Sequence, residues 1–490
     1  MTLEDTLAVR PTPGQPRPYT FPAFERTRMP SGLQVLTVHV PGRPLVSANL
    51  VIRRGGADEP AELAGATALV ARAITEGTEE YEGVELIEAA ERLGTTLNVD
   101  ATWDAFTAGV EVAASRLRPA LELLDELVER PTFPAEEVAR LRDERLNDLM
   151  QLRAEPRRLV DWAFTETIYT PASPYSRLLG GAEPTVARLG REQLASVYRA
   201  LLLPERTALV VGGDLGGLDV PRLAEEALAG LARAGAAAAP ASGPASGSGA
   251  SAGPGRSGSG GPVDVAAPVS ASALDRSVVR LIHRPGSVQS EIRIGHVGLP
   301  RRVPDFHAVQ VMSAILGGLF NSRLQLKLRE KKGYTYGVGA GFDMRRGAGP
   351  FSVRTAVQTA VTVPAISESL AELNRMRDAA VTDVELRTAR DYLVGVFPLR
   401  FETPEAVVAA IGGLFVHGLP DDELARYRSL VESVGPDDVQ RAAGDHIDTS
   451  RLAIVVVGDA DVVAGDLEAA GFGEFRLIRE EGAAPGGGEG

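Results

Sequence analysis

In the stretch LREKKGYTY, Arg329 and Tyr336 stand seven residues apart. A guanidinium is a permanent fork of donors and a phenol is a neutral donor, so such a pair suits a carbonyl oxygen that is gaining charge. The bland alternative is that Arg329 pairs with a nearby acid across a helix end while Tyr336 fills a strand face. Tyr334, one strand step away, would share that face and is the competing tyrosine. Just upstream, Gly317-Gly318 mark a helix exit, where glycine fits a C-cap. Arg323 either binds peptide or caps carbonyls, and Arg329, Lys331 and Lys332 together read as a solvated basic face.

Other chemistries lack their parts. There is no cysteine, so thiolate zinc sites and cysteine nucleophiles are excluded. The six histidines are His39, His283, His296, His307, His417 and His446, and no two share a helical face at i, i+4. Tetrahedral zinc needs several converging ligands, and the sequence offers no such cluster. Asp445-His446-Ile447-Asp448 lies just before an apolar strand, where polar turn residues are expected. Gly249 to Gly253 match the nucleophile-elbow pattern, but no strand precedes them and no helix follows.

Those residues have to be held by elements, and the element pattern is doubled. RTALVVGGD (Arg206 to Asp214) pairs with RLAIVVVGD (Arg451 to Asp459), an offset of about 245. LRDERLNDLM pairs with LRTARDYLVG, and RPALELLDEL with VPAISESLAEL, in the same order. Each half begins with β-branched runs such as LQVLTVHV and continues into long helical patterns, without strict βαβ alternation. The expected fold class is α+β, two duplicated halves of antiparallel-rich sheet packed by helices. The halves are residues 21–231 and 274–480, with tails at 1–20 and 481–490 and a linker at 232–273. The linker is almost all Ala, Gly, Ser and Pro, too poor in apolar surface to offset its ordering entropy.

Composition narrows the partners. The net charge of -14 leaves no broad basic footprint for nucleic acid. No run of about 18 apolar residues predicts a membrane span. The N-terminus carries acids where a signal peptide needs positive charge, so a cytoplasmic location is expected.

HRPGSVQSEIRIGHVGLPRRVPD and ILGGLFNSRLQLKLREKKGYTYGVGAGF closely resemble the C-terminal half of the insulinase/pitrilysin family of inverted zincins. SGLQVLTVHVPGRPLVSANLVIRRGG and AGATALVARAITEGTEEYEGVELIEAAERLGTTLNV resemble its first half. The resemblance implies duplicated α+β halves forming a clam-shell chamber, often completed by a second chain. Active members carry H-x-x-E-H on the first helix, shortly before the Gly-Thr that here is Gly77-Thr78. Those three positions hold Ala68, Ala71 and Arg72, and the third-ligand Glu falls near Asn147 or Asp148. The resemblance therefore implies no zinc on this chain, and a heteromeric partner bearing H-x-x-E-H and the zinc ion. It also implies that Arg329 and Tyr336 hold the backbone of a peptide substrate and help stabilise its oxyanion. Gly317 and Gly318 correspond to a substrate-handling glycine loop in a zinc-less subunit of the family. The alternative expectation is an inert scaffold or peptide-binding protein.

Overall fold

The computed structural model describes residues 18–42, 44–228, 230–231 and 267–479. The nucleophile-elbow match at 249–253, most of the linker and the C-terminal tail lie outside them.

Two six-stranded sheets are built on one plan. The first contains β1 (Phe24–Arg28), β2 (Gln34–His39), β3 (Leu45–Ile52), β4 (Asn98–Ala101), β5 (Phe106–Ala113) and β6 (Thr207–Gly213). Its order is β1-β2-β6-β3-β5-β4. The second contains β7 (Val278–His283), β8 (Gln289–Val297), β9 (Val338–Phe342), β10 (Pro350–Gln358), β11 (Ala453–Gly458) and β12 (Glu474–Ile478). Its order is β12-β7-β11-β8-β10-β9, so five positions match and only the outer edge strand differs. That edge is an antiparallel N-terminal strand in the first sheet and a parallel C-terminal strand in the second.

The long closing strands β6 and β11 are buried at every residue, because both faces of each sheet are covered. One face carries the sheet's own helices, among them α1 (Ala66–Ala73), α2 (Leu117–Glu129) and α3 (Ala135–Ala154) in the first half. The other face is covered by a helix from the opposite half. α4 (Pro156–Ile168) of the first half packs Val160, Phe164 and Ile168 against Ile282, Val455 and Val457 of the second sheet. α5 (Pro404–His417) of the second half packs Val408, Ile411 and Phe415 against Leu36, Val51 and Val210 of the first. Gly212 and Gly295 admit these helices: an added Cβ would sit 2.7 Å from Val408 and 3.0 Å from Phe164.

The far end of the expected linker is docked. Ala273 donates to Ile168 at 2.9 Å and Thr170 donates to Ala271 at 3.0 Å, so residues 271–273 run beside the end of α4. Composition pointed to disorder for this stretch, but main-chain hydrogen bonds hold it without large apolar side chains.

Candidate functional site

Arg329 lies in a helical turn, Gln325–Lys331, wound with the wide π spacing. Gly333, at φ +64°, ends this turn: its N–H donates to the Arg329 carbonyl at 3.0 Å, and Tyr334 donates to Leu328 at 2.9 Å. The chain then runs without regular structure until β9 begins at Val338. Tyr334 and Tyr336 thus precede the strand, and the one-face expectation fails because strand alternation does not apply there. Tyr334 packs against the core, whereas Tyr336 is 93% exposed. The Arg329 guanidinium lies 4.6 Å from the ring centroid of Phe320, itself an exposed aromatic. Its nearest carboxylate, on Glu330, is 3.5 Å away, too long for a strong pair. Both donors thus face solvent. The sequence did not single out Phe320; an apolar ring in the polar turn GGLFNSR was its one signal.

The neighbouring candidates are structural. Arg323 is 6% exposed, and its fork grips Glu385 at 2.7 and 3.1 Å. Neither peptide binding nor carbonyl capping describes that geometry. Burial by itself raises the Glu385 pKa, but the hydrogen bonds from Arg323 and Thr382 outweigh it and bring the carboxyl to about 2. Gly317 and Gly318 end a π turn, Ala314–Gly318, rather than an α-helix. A Cβ on Gly317 would lie 2.4 Å from the Ala340 backbone nitrogen, so this glycine lets β9 approach the turn. Gly318 is exposed.

Tyr336 borders a cleft of about 250 Å³ on the second sheet, lined also by Arg157, Glu291, Arg293, Thr335 and Arg354.

In the first half, Ala68 and Arg72 on α1 and Asp148 on α3 line one cavity of about 270 Å³. Asn147, the alternative third position, is exposed and does not line it. Ala71 is buried beneath. Arg72 donates to Glu144 at 2.6 Å, and Arg140 holds the other oxygen of Glu144 at 2.6 Å. Asp148 is held by Arg158 at 2.9 and 3.1 Å and by Arg145. The hydrogen bonds from Arg158 lead the lowering of its pKa. These residues do not fit a zinc ion: two methyls offer no lone pair, and four guanidiniums occupy the two carboxylates and repel a cation.

Sequence reasoning missed one constellation. His283 meets Asp459 and Asp461, with ring nitrogens about 4.0 and 3.9 Å from the carboxylates. Its Nδ1 accepts the Ala460 N–H at 3.1 Å, which leaves the proton on Nε2 and no free lone pair for a metal. Asp459 accepts from Gly286 and Asp461, and Asp461 pairs with Arg479 at 2.9 Å. His39 does the same in the first half, accepting from Leu215 at 3.3 Å. The signal was the repeated His-x-Pro-Gly at 39–42 and 283–286. His446 is likewise engaged, 2.7 Å from Asp305. Among the described residues no helix is long and apolar enough to cross a membrane.

The chain matches the family model described as insulinase (peptidase family M16) over residues 34–179. It matches the model described as peptidase M16 inactive domain over residues 188–393. It is 25% identical to an uncharacterized zinc protease of Streptomyces coelicolor over 88% of this chain and 89% of that one. It is 20% identical to a non-peptidase homolog of Helicobacter pylori, over 85% and 89%. Among solved structures, a peptidase M16 inactive domain from Pseudomonas fluorescens superposes with a TM-score of 0.77 at 23% identity, covering 89% of this chain and 98% of that one.

Proposed function

The chain belongs to the insulinase family, peptidase family M16, and from that premise we propose that it is the non-zinc subunit of a two-chain peptidase. A partner bearing H-x-x-E-H would supply the zinc ion and water activation. This chain would supply Arg329 and Tyr336 to orient the peptide and stabilise the oxyanion. The observation that carries the reading is the contrast between the two halves. At the three motif positions, Ala68, Ala71 and Arg72 leave a cation nothing to bind, whereas Arg329 and Tyr336 stand solvent-facing with no strong partner.

The experiment is reconstitution with H-x-x-E-H chains of the same cell, with zinc content and peptide cleavage measured for each chain and for the pair. Cleavage is expected from the pair only. Tyr336→Phe should lower kcat of the pair by about 10²–10³, the cost of one oxyanion donor, with assembly intact. Chelator-sensitive cleavage by the purified chain alone overturns the proposal. The likeness to a non-peptidase homolog favours a second reading, an inert scaffold. That reading wins if Tyr336→Phe leaves turnover unchanged.

A further inference from the structure

The cleft beside Tyr336 has a counterpart in the other half, and the two differ in charge. The second-half cleft is bounded by β8, β10, the chain before β9, and the first turn of α4, which brings Arg157. The first-half cleft, about 470 Å³, is bounded by β3, β5, β4 and the first turn of α5, which brings Glu405. Arg157 and Glu405 each follow the proline that opens an exchanged helix. On the sheets, Arg293 lies opposite Arg354 in the β8–β10 register, where Asn49 lies opposite Gly109 in the β3–β5 register. The first-half cleft is lined by Asp100, Glu111 and Glu405 and by no Lys or Arg. Because the same elements build both clefts, the fold does not require three arginines in the second.

Those arginines also sit against their own electrostatics. Like charges directly opposite on paired strands repel. Arg293, 2% exposed, is answered by Asp161 at 2.6 Å and Glu291 at 3.3 Å. Among the described residues, the side chains of Arg157 and Arg354 have no hydrogen bond or ion pair. Three guanidiniums therefore face two carboxylates, and the excess of one cation (3 − 2) lies with the two exposed forks. The adjoining edge strand is bare on this face: Gly339 is the register partner of Arg354 and Gly341 that of Ser352. A side chain at Gly341 would meet nothing within 4 Å. An extended segment can lie there with its own side chains next to the forks.

We infer that this cleft seats a carboxylate of the peptide, held by Arg157 and Arg354 beside Tyr336, so that the chain selects acidic peptides. The inference rests on the peptide-binding reading above and adds the substrate class to it. A planar fork matches a carboxylate in two parallel hydrogen bonds, and Arg293 holds the floor of the site in place. The carboxylate comes either from an Asp or Glu side chain or from the peptide C-terminus.

Binding of three labelled peptides to the full chain by fluorescence anisotropy separates these sources. One has internal glutamates and an amidated C-terminus, one has glutamines at the same places and is amidated, and one is the glutamine peptide with a free C-terminus. The acidic amidated peptide, or the free-terminus peptide, is expected to bind about tenfold more tightly than the neutral one. Arg157→Gln with Arg354→Gln should remove that preference, since both side chains are exposed and their loss spares the core. Glu405→Gln, in the other cleft, should leave it intact. Equal binding of all three peptides, or a preference that survives in the double variant, overturns the inference. Turnover of the reconstituted pair still dependent on Tyr336 would then leave the proposed function standing. Absence of binding by every peptide overturns the inference and the peptide-binding reading together.

Discussion

Arg323 and Arg329 lie on one short stretch, yet one is a strut and the other is offered to solvent. Arg323 is buried against Glu385, whose second oxygen also accepts from the Thr382 N–H and so closes the capping box at the start of its own helix. Glu385→Gln leaves a buried guanidinium without its counter-charge and should cost about 3 kcal/mol, read as a lowered urea midpoint. The pH dependence follows from the same pair. The folded-state pKa lies below the usual carboxylate value, so the stabilisation is full above pH 4.5 and is lost as pH falls towards about 2. Melting scans across that interval should show the wild type losing stability and Glu385→Gln losing less. The sequence exposed the Arg329–Tyr336 spacing but not which arginine faces out. Exposure depends on Glu385, 62 residues away in the chain, and no local pattern encodes that. Tyr334 was misplaced for a related reason: alternation was extended past the start of β9.

Helices and strands were legible where periodicity was long. Both closing strands lie where the paired segments Arg206 to Asp214 and Arg451 to Asp459 put them. Periodicity could not reveal which sheet each helix serves. α4 and α5 carry apolar faces, but a helix face does not state its partner, and each packs on the opposite half. Ile411→Ala on α5 should cost about 2–5 kcal/mol, and by its position that loss falls on the core of the first sheet. Hydrogen exchange of β6 should speed up more than that of β11; equal acceleration in both would contradict the packing. At the positions where the zinc motif was expected, the helix that holds Ala68 and Arg72 faces α3 across a cavity. Ala68→His, Ala71→Glu and Arg72→His together with Asp148→Glu should raise bound zinc towards one per chain, checked by elemental analysis.

Across the whole molecule the two halves are joined by a buried polar junction as well as by apolar packing. The Arg346 N–H and guanidinium reach Asp104 at 2.8 and 3.3 Å, and the guanidinium also reaches Asp58 at 2.5 Å. The Tyr175 hydroxyl donates to Asp104 at 3.2 Å and accepts from the Gly347 N–H at 3.2 Å. His417 ends α5 beside this junction. Burial, with Arg301, Arg346 and Arg53 adding to it, depresses its pKa to about 4 against the pull of Asp104. The unfolded chain binds this proton at higher pH than the folded one, so stability should fall as pH drops from 6.5 towards 4. His417→Gln should flatten that part of the melting-temperature profile. The duplication itself was readable in three aligned segments, and the sheets follow it strand for strand except at one edge. The exchange of α4 and α5 has a further meaning. Topologically the molecule is a domain-swapped dimer whose two protomers share one polypeptide. Once folded, each half is clasped by the other, and the covalent tie between them is dispensable. A protease cut placed within 232–266 should leave two fragments that copurify and separate only in denaturant.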